Sequence, residues 1–215
     1  MAKKYQAIET KIHWITWTAM ASIFVLLVTL IVVLQPSRET VFYDSYLATT
    51  TETNFEKKLP RDNKFQFVDS LEDGFLGLSK GLYTIGKNDS NLTIVFFGEP
   101  SNAQSANHIA NVYARLYGSS LVDPTIAASD LYTELEDQVT LYYFEQKAAQ
   151  FEGTVKSLNE YYDAEINATA LPLVLVLLNN EVLTYAVLSD ANIPLQLVNF
   201  YDSVLALEEV QALLN

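Results

Sequence analysis

Hydrophobic and polar positions divide this chain into a single long apolar run and a longer, patterned remainder. Ile15–Leu34 is twenty residues without a charge. At a helical rise of about 1.5 Å per residue, such a run crosses a hydrocarbon core of about 30 Å. Trp14 and Trp17 lie at one end, where indole rings favour the membrane interface, and Gln35-Pro36 closes the other. A helix apolar on every side over this length is seldom a buried core helix. The run is also longer than a signal-peptide core of about 7–15 residues, and no small-x-small site follows Val33-Leu34-Gln35. The pattern predicts an uncleaved membrane anchor.

Beyond the anchor, short apolar runs alternate with helical stripes. Lys64–Asp69 alternates as a strand does. Ser70 and Asp73 resemble a capping box, and Leu71, Phe75, Leu78, Leu82 and Ile85 recur at helical steps up to Gly86. Gly74, Gly77 and Gly81 weaken that predicted helix by up to ~1 kcal/mol each relative to Ala. Leu92–Phe97 reads as a buried central strand. Asn102–Tyr117 follows as a helix carrying Ile109, Val112, Tyr113 and Leu116 on one face, with Gly118 as its stop. Asp123-Pro124 breaks the next stretch, and Ser129–Asp137 forms an acidic helical turn. Val139–Glu145 is a strand, and Ala148–Tyr162 a helix buried through Phe151, Val155, Leu158 and Tyr162. Leu171–Leu178 is a second fully apolar strand with Pro172 at its edge. Asn179-Asn180 is a two-residue hairpin signal, and Glu181–Leu188 returns antiparallel. Pro194 opens a last helix carrying Leu197, Phe200, Val204, Leu207 and Val210. The order β-α-β-α-(insert)-β-α-β-β-α implies an α/β fold with a mixed sheet and helices on both faces.

Charge sets the expected topology. Lys3, Lys4 and Lys11 precede the apolar run, and Arg38 beside Glu39 follows it. The positive-inside rule then gives a cytoplasmic tail (1–13), a single transmembrane segment (14–35), a polar stalk (36–62) and an extracellular domain (63–215). After the run, 10 Lys/Arg stand against 25 Asp/Glu. Such a surface is repelled by anionic headgroups, so the domain is expected to stand off the membrane. The whole-chain net charge of −13 argues against broad nucleic-acid binding. Lys57, Lys58 and Arg61 form the only basic cluster past the N-terminus and read as solvated linker.

Candidate chemistry is sparse. The chain has no cysteine, so disulfides, thiol catalysis and Cys-based metal sites are excluded. Ser105 and His108 lie three apart on one predicted helix, but a catalytic Ser normally sits on a strained turn beside an oxyanion hole. They read as an exposed polar face, and His13 as an interfacial residue. Glu134, Glu136 and Asp137 lack EF-hand spacing and read as a solvated acidic face. Tyr142, Tyr143, Tyr161, Tyr162, Tyr185 and Tyr201 are expected at core edges. No catalytic residue, metal or cofactor is expected.

Two local patterns carry a resemblance. Val95-Phe96-Phe97-Gly98-Glu99-Pro100-Ser101 is similar to the Phe-Gly-x-Pro-Thr run before Cys-x-x-Cys in membrane-linked thioredoxin-like proteins of the bacteriocin-transport-accessory type, found in Gram-positive bacteria. Leu171-Pro172, a strand and then Asn179-Asn180-Glu181-Val182 resemble the cis-Pro strand and hairpin of thioredoxins. Tyr143-Phe144-Glu145 falls where the family's third strand ends in an acidic residue. The resemblance covers roughly residues 64–215 and implies a thioredoxin-like fold.

The departures decide what the resemblance implies for function. The two redox cysteines would fall on Asn102 and Ser105, which cannot form a disulfide, and the family's buried acid on Phe96. What the resemblance leaves is the family's peptide groove. Pro100, Ser101, Asn102, Ala103, Gln104 and Ser105 would form one wall, and Ala170, Leu171 and Pro172 the other. The expectation is a non-catalytic, membrane-anchored adaptor that contacts other envelope proteins, within a Gram-positive transport or conjugative type IV secretion apparatus. A chaperone-like binder of extended exported polypeptides is the alternative. A nuclear-transport-factor-like cone on the same anchor fits poorly, because that fold needs a long curved antiparallel sheet.

Overall fold

The structure is a computed structural model and describes residues 14–119, 126–189 and 193–214. The tail residues Lys3, Lys4, Lys11 and His13, and the Asp123-Pro124 break, lie outside them. The chain divides into two compact units between Val41 and Phe42.

The first unit holds α1 (Trp14–Leu34), whose residues are all exposed. At 21 residues it is long and apolar enough to cross a bilayer, with a length of about 31 Å. Ser37 follows Pro36 and opens α2 (Arg38–Leu47), where its hydroxyl accepts from Thr40 N–H at 3.3 Å.

The second unit begins inside α2 and continues with α3 (Phe55–Lys58), β1 (Gln66–Val68), α4 (Leu82–Ile85), β2 (Leu92–Gly98), α5 (Ala103–Tyr117), α6 (Asp130–Leu135) and β3 (Val139–Glu145). It ends with α7 (Phe151–Tyr162), β4 (Leu173–Leu178), β5 (Glu181–Val187), α8 (Ile193–Leu205) and α9 (Glu208–Gln211). The strands form one five-stranded sheet in the order β1-β3-β2-β4-β5. β3 pairs parallel with both β1 and β2. β4 runs antiparallel to β2, and β5 antiparallel to β4. The expected mixed sheet is therefore present.

Period-two alternation in the central strands builds a core on each face of the sheet. Leu92, Ile94 and Phe96 of β2 enter one core, and Val95 and Phe97 the other. Val174, Val176 and Leu178 of β4 likewise oppose Leu173, Leu175 and Leu177. The first core packs against residues of α2, α3, α5, α6 and α8, and the second against α4 and α7. Every residue of β2 and β4 is buried, as their unbroken apolar runs require. Asn179 and Asn180 take positive φ (50° and 64°) and close the hairpin.

Two expectations fail. The segment read as a stalk is part of the folded unit. Phe42, Tyr43, Tyr46, Phe55 and Leu59 are all buried in the first core. Phe42 alone has ring centroids of Phe65, Phe67, Tyr46 and Tyr143 at 5.4, 5.2, 5.2 and 4.7 Å. Lys58 is not solvated linker either, because it pairs with Glu52 at 3.0 Å. Second, the helix expected over Ser70–Ile85 breaks down to a short 3-10 turn (Phe75–Gly77) and the single-turn α4. Leu76 and Gly77 sit at φ 55° and 71°, which no right-handed helix accommodates. Asp73 caps nothing at the start of that stretch; its carboxylate accepts from Gly81 N–H at 2.8 Å.

Candidate functional site

Three chain segments meet where β2 ends. β2 runs into the turn Glu99-Pro100-Ser101-Asn102, and α5 begins at Ala103. Asn102 N–H donates to Glu99 C=O at 3.0 Å, closing the turn. The Asn102 side chain accepts from Ser105 N–H at 2.9 Å and so caps α5. The β3–α7 connection arrives from one side. Gln146 N–H donates to Gly98 C=O at 2.9 Å, and Ala148 N–H to the Glu99 carboxylate at 3.0 Å. That bond, and a second from Ser101, hold the Glu99 carboxyl below its ordinary range. The third segment is the start of β4. The antiparallel ladder reaches Phe97↔Leu173, so its next positions are Gly98 and Pro172. The Leu171–Pro172 bond is cis.

Aromatic side chains fill the floor beneath this junction. Phe96, at the expected acid position, is fully buried in the first core beside Tyr143. The Tyr46 hydroxyl donates to the Tyr143 hydroxyl at 3.1 Å, and Tyr143 donates on to Gly98 C=O at 3.2 Å. Burial raises the Tyr46 phenol well above its ordinary pKa. A Cβ at Gly98 would run into the Phe96 ring and lie 3.0 Å from the Tyr46 hydroxyl. Glycine is what lets this plug approach the backbone. Phe96 is thus a ring packed among rings.

The nine groove residues differ in access. Ser101, Ala103 and Ala170 are exposed; Pro100, Asn102 and Gln104 are half-buried; Ser105, Leu171 and Pro172 are buried. Both segments adjoin the end of the β2–β4 ladder at Phe97↔Leu173, with Leu171 closed off at 4% exposure. Ser105 and His108 are not the exposed polar face the spacing suggested, since both are buried. They form no dyad. Ser105 Oγ donates to Asn102 Oδ1 at 3.2 Å, and His108 Nε2 pairs with Gln104 Oε1 at 2.8 Å. Glu134, Glu136 and Asp137 are exposed. Among the described residues, no group of three His or acidic side chains is placed to hold a metal ion.

No protein-family model and no curated protein sequence matches this chain.

The sequence pattern hid a polar seam farther along α5. Asn107 Oδ1 accepts from Thr51 N–H at 2.8 Å and from the hydroxyls of Thr50 and Thr51. Lys58 Nζ donates to Asn111 Oδ1 at 2.8 Å as well as to Glu52, and Asn111 Nδ2 donates to the other Glu52 oxygen at 3.0 Å. The seam borders a cleft of about 320 Å³ lined by Glu52, Asn107, His108, Asn111 and Pro194 among others. It fastens the segment between α2 and α3 to α5. Its only signal in the sequence is Asn107 and Asn111 at a helical spacing of four, on the side of α5 away from the Ile109, Val112, Tyr113 and Leu116 stripe.

Proposed function

We propose that this chain is a membrane-anchored, redox-inactive adaptor built on a thioredoxin-like domain. One observation carries the reading. In the strand order β1-β3-β2-β4-β5, β4 alone runs antiparallel to the other four strands. The helices that alternate with the strands fall on opposite faces, α5 and α8 on one and α4 and α7 on the other. This mixed sheet with helices on both faces supports the thioredoxin-like reading of residues 64–215. Thiol–disulfide exchange needs a thiolate, and this chain has no cysteine. The junction offers instead Ser101, Ala103 and Ala170 as accessible small side chains, where the turn that carries Ser101 is braced by Glu99 and the Tyr46–Tyr143 pair.

In this reading α1 fixes the chain in the membrane, and the acidic domain, on the outer side, contacts other envelope proteins. The assignment to a Gram-positive transport or conjugative type IV secretion apparatus rests on the sequence resemblance alone. Peptide binding through the groove has less support, because the buried Leu171 and Pro172 leave little backbone for an extended chain to reach. Crosslinking in intact membranes, followed by purification of the full chain, tests the adaptor. A small, reproducible set of folded envelope proteins is expected. Capture of many unrelated unfolded chains would favour the peptide binder. Deletion of the gene with normal transport or mating, and no loss of crosslinked partners, would refute the adaptor.

A further inference from the structure

The turn between β1 and α4 presents three large apolar side chains to solvent. Phe75 and Leu76 are each 81% exposed and Leu78 is 86% exposed. These values exceed that of every large apolar side chain along α1. A cluster this open on a folded domain marks an interaction surface.

The turn is held in shape. Gly74 N–H donates to Ser79 C=O at 2.9 Å, Gly77 N–H to Gly74 C=O at 2.9 Å, and Leu78 N–H to Phe75 C=O at 3.2 Å. Its base is pinned by the Asp73–Gly81 bond, and a Cβ on Gly81 would strike the Glu72 backbone. At the tip, a Cβ on Gly77 would meet no heavy atom within 4 Å. Residues 74–79 carry no charge, while Glu72, Asp73 and Lys80 stand outside them.

We infer that this uncharged Gly74–Ser79 turn dips into the interfacial layer of the lipid bilayer that α1 crosses, against the stand-off expected from the domain's net charge. The inference rests on the reading of α1 as a membrane span. A projecting tip with apolar side chains at its corners suits lipid, which needs no matching cavity. Lipid does require backbone polar groups to be satisfied within the chain, as the three turn bonds do for Gly74, Gly77 and Leu78. Lys80 at the base can keep its ammonium among headgroups while its stem follows the apolar tip. The bilayer is also within reach. Seven residues lie between Leu34 and Phe42, the first residue of the folded unit, and the eight steps span at most about 29 Å.

The absence of cysteine permits a direct test with the full chain. Nitroxide labels are placed singly at Phe75→Cys, Leu78→Cys, Val28→Cys in α1 and Gly153→Cys on α7, where an added Cβ meets nothing within 4 Å. In phosphatidylcholine nanodiscs, collision with oxygen reports lipid and collision with a water-soluble nickel chelate reports water. Labels at 75 and 78 are expected to match 28, with nickel collisions severalfold below those at 153. Labels at 75 and 78 that behave like 153, with 28 in lipid, overturn the inference and leave the anchor standing. Exclusion of both reagents at 75 and 78 also overturns it and indicates a protein contact with a second copy. A label at 28 in water overturns the anchor and the inference together.

Discussion

Replacing Phe42 with alanine tests whether the segment after α1 belongs to the core. Phe42 is 5% exposed, and four ring centroids lie 4.7 to 5.4 Å from its own. Truncating a packed Phe to Ala costs about 3–5 kcal/mol in lost transfer energy and unfilled volume. A flexible stalk would lose nothing. With a urea dependence of about 2 kcal/mol per molar, the unfolding midpoint falls by about 1.5–2.5 M. A domain of this class has about 5–15 kcal/mol in hand, so the variant folds but with little reserve. Both tryptophans lie in α1, so unfolding of the domain is read from the near-ultraviolet circular dichroism of its tyrosines, with the full chain in nanodiscs. Val41→Ala serves as control, since Val41 is the adjacent residue and is 53% exposed. Equal midpoints for F42A, V41A and the unaltered chain would refute the packing described for α2.

Two further outcomes follow from the junction and the aromatic core. Asn102→Ala removes the cap on α5 and is expected to cost about 0.5–2 kcal/mol, while Asn102→Asp retains it; equal urea midpoints for all three would refute the capping role. Burial raises the phenols of Tyr46, Tyr117, Tyr162 and Tyr201, so the folded chain keeps protons that the unfolded chain releases. Their contribution is therefore complete below the unfolded pKa of about 10 and is lost as pH rises above it. Phenolate absorbance from these residues is expected to appear together with loss of tertiary dichroism, and smooth titration in the folded state would contradict the burial.

The sequence made the centre of the sheet legible. β3 has the bounds expected for it, and β2, β4 and β5 differ by one or two residues at an end. Their unbroken apolar runs have no other stable placement than a doubly covered sheet. Asn179-Asn180 announced the hairpin because few residues tolerate two successive positive φ angles. The α2 and α3 packing was not legible. Phe42, Tyr43, Tyr46, Phe55 and Leu59 lie among polar residues, so no stripe stands out, and their partners are distant in sequence. The stretch from Leu71 to Ile85 shows the opposite error. Its apolar spacing fits a helix face, but three glycines made the extended alternative cheap, and of the five stripe residues only Leu82 is fully buried. At the site, the absence of thiol chemistry could be read from composition alone, because the chain has no cysteine. The plug could not, because Tyr46 reaches Gly98 only through tertiary packing.

The Tyr46–Tyr143 hydrogen bond joins residues 97 positions apart. A ribosome adding about 5–20 residues per second makes the second of them roughly 5–20 s after the first. Through that interval the aromatic face of α2 lacks the strand that completes its burial, although α2 is the first part of the domain to be synthesised. A truncated nascent chain that stops before β3 therefore leaves Phe42 and Tyr46 without Tyr143, an aromatic pair of the kind that holding chaperones engage. The first element of the domain to be made is thus completed by a strand made much later.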